Sequence, residues 1–158
     1  MAEQVTDMAD QAPILIASDH AGVELKRKLE AELAKLGYAY RDLGTDSTAS
    51  TDYPDFAHPL AKEVSEGHAT RGVLLCGTGL GMSYVANRYP HVRAAVVWTP
   101  EVAELARSHN DANVLVLPAR FVTDTQALEI LRTWLQTPFE GGRHERRVLK
   151  IDDTIRSS

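Results

Sequence analysis

The sequence predicts a three-layer α/β domain, in which a parallel sheet of about five strands carries helices on both faces. Three observations predict it. Short continuous apolar runs recur along the 158 residues, as strands buried on both faces require. The segments between them place apolar residues at helical spacing. The two kinds of segment alternate, which is the pattern of strand–helix–strand units.

Ile14-Leu15-Ile16-Ala17 is the first apolar run. A helix follows from about Val23, with Leu25, Leu29, Leu33 and Leu36 in one stripe and Gly37 as its stop. Tyr38–Leu43 reads as a second strand, Gly44–Asp52 as a polar loop, and a helix then ends near Gly67. Gly72-Val73-Leu74-Leu75-Cys76 is the third strand and runs straight into Gly77-Thr78-Gly79-Leu80-Gly81. Ala94–Trp98 is the fourth, after which Thr99-Pro100-Glu101 supplies an N-cap, a proline at the first helical position and an acid in the first turn. Val114–Leu117 is the fifth. Thr123 or Asp124 then caps a helix with Ala127, Leu128, Leu131, Trp134 and Leu135 on one side.

Composition bounds the function. Apolar residues make up 44% and charged residues 25%, near the average for a soluble domain. One domain over residues 14–151 is expected, with flexible tails at 1–13 and 152–158. The lone cysteine, Cys76, excludes an intrachain disulfide and a Cys-rich zinc site. No apolar run approaches the roughly 20 residues of a membrane span. Residues 1–13 hold Glu3, Asp7 and Asp10 and no Lys or Arg, so they read as neither a signal nor a transit peptide. Seventeen Lys and Arg against 22 Asp and Glu leave a net charge of −5, which speaks against a nucleic-acid binder. A cytoplasmic protein with neither membrane nor nucleic acid as partner is expected.

In open α/β sheets ligands bind beyond the carboxyl ends of the strands, near a switch in strand order. Ser18-Asp19-His20, Cys76–Ser83 and Thr99 follow strands and are therefore the informative residues; His109-Asn110-Asp111 ends the helix before the fifth strand. Gly77, Gly79 and Gly81 permit positive φ and close approach of a ligand to the backbone. Two readings of that turn stand: an anion or oxyanion site, or a structural turn. Its spacing is not the dinucleotide fingerprint, and no G-x-x-x-x-G-K-[ST] occurs, so a nucleoside triphosphatase is not expected.

Cys76 is either a small apolar filler or a base. A helix N-terminus favours thiolate, and a thiolate can move a proton between carbons next to a carbonyl. The resulting enediolate needs preorganised donors, which the following turn would supply. Of the six histidines, His58, His68 and His91 read as solvated surface, while His20 sits beside Asp19 and His109 beside Asn110 and Asp111. No H-E-x-x-H or other metal-ligand spacing is present, so no metal is expected. Gly141–Arg147 is a basic patch in an acidic chain. It is either a solvated helix start or a phosphate clamp, since Arg143 and Arg147 would share one helical face.

Together these segments resemble the ribose-5-phosphate isomerase type B family, which includes galactose-6-phosphate and allose-6-phosphate isomerases. The matches are Ser18-Asp19-His20-Ala21-Gly22, Thr51-Asp52-Tyr53-Pro54-Asp55, Cys76 to Ser83, His109-Asn110-Asp111-Ala112-Asn113 and Gly141-Gly142-Arg143-His144, in the family's order from Ile14 to about Ile151. The resemblance implies a Rossmann-like fold, no cofactor, and a homodimer or tetramer whose sites are shared between chains. It implies Cys76 as the base between C2 and C1, the Gly77–Ser83 segment (with Gly79 and Gly81) around the enediolate, and Thr78 and His109 in ring opening. It further implies Asp19 and Tyr53 on sugar hydroxyls, His20, Arg143 and Arg147 on phosphate, and His109-Asn110 facing a partner's Cys76. Some members carry a glutamate base where this chain has Met82, which takes no proton. Leu80, Tyr84 and Val85 are expected to vary and to set sugar length. Ribose 5-phosphate is the expected substrate. The alternatives are an allose, galactose or tetrulose phosphate, or a non-catalytic sugar-phosphate-binding domain.

Overall fold

The computed structural model describes residues 12–153; the expected tail residues 1–11 and 154–158 lie outside the described residues. Five parallel strands, β1 (Ile14–Ser18), β2 (Tyr40–Asp42), β3 (Gly72–Cys76), β4 (Ala94–Val96) and β5 (Val114–Pro118), pair in the order β2-β1-β3-β5-β4. Six helices connect and flank them: α1 (Val23–Lys35), α2 (Pro54–Ser65), α3 (Leu80–Ala86), α4 (Pro100–Ser108), α5 (Asp124–Gln136) and α6 (Arg143–Leu149). The expected three-layer architecture is observed.

Alternation along the strands sorts the two cores. Ile14, Ile16, Val73, Leu75, Leu115 and Leu117 pack with the apolar faces of α1, α4 and α5. Leu15, Ala17, Leu74, Cys76, Val114 and Val116 point the other way, toward α2 and α3. The parity of β3 therefore aims Cys76 at the layer in which α3 begins. Trp134, 1% exposed, anchors α5 and donates its indole N–H to the Ala112 carbonyl at 3.1 Å.

Local signals explain the boundaries. The α1 stripe ends as Gly37 adopts φ +88°, and Leu36 lies at the cap rather than in the core. Thr99 caps α4 by accepting the Val102 N–H. Thr123, not Asp124, caps α5, in a reciprocal capping box with Gln126. Two strands are shorter than expected. β2 spans Tyr40–Asp42 rather than Tyr38–Leu43, and β4 stops at Val96 rather than Trp98, which is 55% exposed. Both are edge strands, paired on one side only, so the ladder does not hold their ends. Among the described residues no helix is long and apolar enough to cross a membrane.

Strand order places the switch between β1 and β3, because the chain moves from β1 to β2 on one side and to β3 on the other. The carboxyl ends of β1 and β3, Ser18 and Cys76, border it.

Candidate active site

A cavity of about 330 Å³ opens over that switch, lined by Asp19, Tyr53, Cys76, Gly77, Thr78, Gly81, Tyr84 and Arg120. Cys76 is 5% exposed and free, and its Sγ accepts the Gly79 N–H at 3.2 Å. That contact needs the left-handed turn at Gly79, φ +77°, a conformation that costs glycine least. Thr78 Oγ1 accepts the Leu80 N–H at 3.2 Å. Glycine at 81 has a different cause: a Cβ there would lie 2.5 Å from the Tyr53 ring, so the small residue lets that ring lie on the turn.

The other side chains arrive from neighbouring strands. Asp19 closes β1; it is 7% exposed and its Oδ1 accepts the Ala21 N–H at 3.0 Å. Tyr53 is at the N-cap of α2. Arg120 follows β5 and lays its guanidinium against Gly77, 3.0 Å from where a Cβ would stand there. This arginine was not among the expected site residues. The same rule of looking just beyond a strand end, applied to β5, finds it.

His20 stands beside this group, tied to the loop between β2 and α2. The Thr51 N–H donates to its Nδ1 at 3.1 Å, and the His20 backbone N–H donates to Thr51 Oγ1 at 3.1 Å. With Nδ1 accepting, a neutral His20 carries its proton on Nε2, which is left as a donor.

Not every expected site residue lies at this cavity. Ser83 does not line the cavity: its hydroxyl donates to the Leu80 carbonyl at 2.7 Å and its N–H to the Gly79 carbonyl at 3.1 Å, both inside the turn and α3. Met82 is fully buried and offers no ionisable group, whereas Tyr84 joins the cavity wall. His109, Asn110, Arg143 and Arg147 also lie apart from Cys76. Helix α4 starts at the carboxyl end of β4 and ends before the amino end of β5, so His109 is at the opposite edge of the sheet.

These four residues form a second group. Arg107 and Arg93 both reach Asp111, at 2.8 and 3.4 Å, and fix the turn after His109 and Asn110. The Glu140 N–H donates to the Ser108 carbonyl at 3.0 Å and brings the start of α6 alongside. His144, unexpectedly buried, stacks on His109 with centroids 4.2 Å apart and planes 12° from parallel. Burial, then His109 and Arg143, hold its pKa below the ordinary histidine value against the pull of Glu140. Arg143 and Arg147 sit four apart on α6, both exposed. His58, His68 and His91 are exposed as expected.

His109, Glu140 and His144 hold their ligand atoms within 4.8 Å of one another. Stacked rings direct their nitrogen lone pairs in parallel planes, so a shared metal would require one imidazole to turn. The residues in their present rotamers do not fit one.

The family model described as ribose/galactose isomerase matches residues 14–151. The chain belongs to that family. Ribose-5-phosphate isomerase B of Escherichia coli is 42% identical over 138 residues, covering 87% of this chain and 93% of that enzyme. The ribose 5-phosphate isomerase structure from Thermotoga maritima is 52% identical with a TM-score of 0.86, covering 90% of this chain and 98% of that one. Ribose-5-phosphate isomerase B from Mycoplasma genitalium, solved with bound ribulose-5-phosphate, is 42% identical with a TM-score of 0.89 and covers 92% and 97%.

Proposed function

We propose that the protein interconverts ribose 5-phosphate and ribulose 5-phosphate, with Cys76 as the base that carries a proton between C2 and C1. The observation that carries this reading is the Cys76 thiol in the wall of a cavity that also holds Asp19, Thr78 and Arg120, hydrogen-bonded by the turn that follows it. Cys76 thiolate removes the C2 proton of the open-chain aldose. The electron pair moves toward C1 and its carbonyl oxygen becomes the enediolate oxygen, beside the backbone of the 77–81 turn. Cys76 returns the proton to C1, the C2 hydroxyl proton passes to the C1 oxygen, and the C2 carbonyl forms as the C1 oxyanion becomes a hydroxyl.

Thr78 and His109 assist ring opening, Asp19 and Tyr53 hold sugar hydroxyls, and Asn110 contacts the substrate. His20, Arg143 and Arg147 take the phosphate, with bidentate guanidinium contacts suited to a dianion. Arg120 adds a positive charge to the cavity wall. His109, Asn110, Arg143 and Arg147 come from a second copy of the chain. In a homodimer, alone or paired into a tetramer, the amino-edge group of one copy caps the Cys76 cavity of the other. A phosphorylated sugar does not diffuse through a bilayer, which supports a cytoplasmic enzyme.

Turnover measured side by side on ribose 5-, allose 6-, galactose 6- and tetrulose phosphates tests the substrate. Ribose 5-phosphate is expected to give the highest kcat/KM, because Tyr84 stands at the cavity wall and limits chain length. A six-carbon preference overturns the substrate. Phosphate-sugar binding without turnover of any of them would leave a binding domain.

A further inference from the structure

The loop between β2 and α2 has an attachment that the chemistry above does not use. Lys26, on α1, is 1% exposed, and an ammonium so buried requires partners. Its Nζ donates to Asp42 Oδ1 and to the Thr45 carbonyl, each at 2.6 Å. Asp42 Oδ1 also accepts the Gly44 N–H at 2.8 Å. One buried cation thus ties α1 to the last residue of β2 and to the start of the loop. Six residues beyond Thr45, the same loop presents Thr51, which holds His20 by Nδ1, and then Tyr53, whose ring lies on Gly81.

Glu30 follows Lys26 by four residues, on the same face of α1. Its Oε2 is buried and receives no hydrogen bond, and the polar group beside it is the Asp42 carboxyl. A proton held between the two carboxyls gives that oxygen a partner without a second charge.

We propose that Lys26 is a positioning residue for the phosphate end of the site, acting through Asp42 and Thr45 on the loop that sets His20, and that a proton shared by Glu30 and Asp42 keeps Lys26 on those partners. This rests on the reading of His20 as a phosphate contact. The charged groups facing Glu30 are Lys26 and Arg27 from its own helix and Asp42 from β2. Burial and then Asp42 push its pKa up to about 7, while Lys26 and Arg27 pull it down. Burial also opposes ionisation of Asp42, but hydrogen bonds from Glu30, Lys26 and Gly44 outweigh it and hold that carboxyl low.

The sign follows. The folded chain binds the Glu30 proton more tightly than the unfolded one. Its contribution is complete below the ordinary value of 4.5 and lost as pH rises toward about 7. Above that range Glu30 is a second anion competing for Lys26, and the hold on Thr45 loosens.

The test measures KM and kcat for ribose 5-phosphate, and Ki for inorganic phosphate, between about pH 5.5 and 8.5. It compares the full chain with Lys26→Met, Glu30→Gln and His20→Ala. Lys26→Met is expected to raise KM and the phosphate Ki about 10-fold while kcat stays within about 2-fold. Glu30→Gln, which donates to Asp42 at every pH, keeps the native KM near pH 6 and avoids the roughly 3-fold rise expected of the native protein above pH 7. Native constants in Lys26→Met, or a Glu30→Gln curve that follows the native one, overturn the proposal. If Lys26→Met does not fold, the Glu30→Gln comparison decides alone. An unchanged phosphate Ki in His20→Ala removes the His20 reading and the proposal with it. A raised Ki there, with native constants in both other variants, removes the positioning role only.

Discussion

Cys76→Ala is expected to lower kcat for ribose 5-phosphate by about 10²–10⁴-fold, the span a positioned acid–base group supplies. KM should move little, because the thiol touches a C–H bond rather than the phosphate or hydroxyls that hold the sugar. The fold should survive: the side chain is small, and β3 keeps its pairing with β1 and β5. Cys76→Ser separates basicity from size, since serine keeps a hydrogen-bonding atom where the Gly79 N–H now points. Its kcat should fall by a similar factor, because a hydroxyl ionises far less readily than a thiol. Near-native turnover in either variant would remove Cys76 as the base and leave Asp19 as the carboxylate in the cavity.

The second large effect belongs to the α6 arginines. Each guanidinium contributes charge-assisted hydrogen bonds worth about 1.5–3 kcal/mol, so Arg143→Ala with Arg147→Ala should raise KM by about 10²–10⁴-fold. Both side chains are exposed and, among the described residues, no carboxylate pairs with them, so the double variant should melt at the native temperature. A KM within about 2-fold of native would return this helix to the plainer reading of a solvated charged surface.

Much of the fold is legible in the residues because burial on both faces leaves an unmistakable mark. β1, β3 and β5 are continuous apolar runs, and the runs match the strands with at most one residue of difference at an end. The caps at Thr99 and Thr123 are equally local, since each satisfies orphan N–H groups within three residues. The edge strands are less legible. Tyr40–Asp42 is exposed throughout, and what ends it is the absence of a second neighbour, which only strand order reveals.

The site divides the same way. Asp19, Cys76, Gly77, Thr78 and Gly81 stand in short motifs after strands and Tyr53 opens α2, and all six line one cavity. His144 was hidden inside a run of charges that suggested solvent, yet it is buried against His109 from another helix. Lys26 lies next to the Leu25–Leu29–Leu33 stripe with nothing local to mark it. Its importance comes from Asp42 and Thr45, 16 and 19 residues away.

One chain presents half of the expected constellation at each edge of its sheet, and the proposed sharing of sites between two copies would join the halves. Mixing two inactive variants probes this most directly. Cys76→Ala keeps the His109 group, and His109→Ala keeps the thiol cavity; neither homodimer should turn over ribose 5-phosphate appreciably. Co-folded in equal amounts, half of the dimers would be mixed, each with one intact site and one doubly altered site, so about a quarter of native activity should return. A mixture that shows only the summed activity of the two variants, with mixed dimers demonstrated by mass, would contradict a site shared between chains.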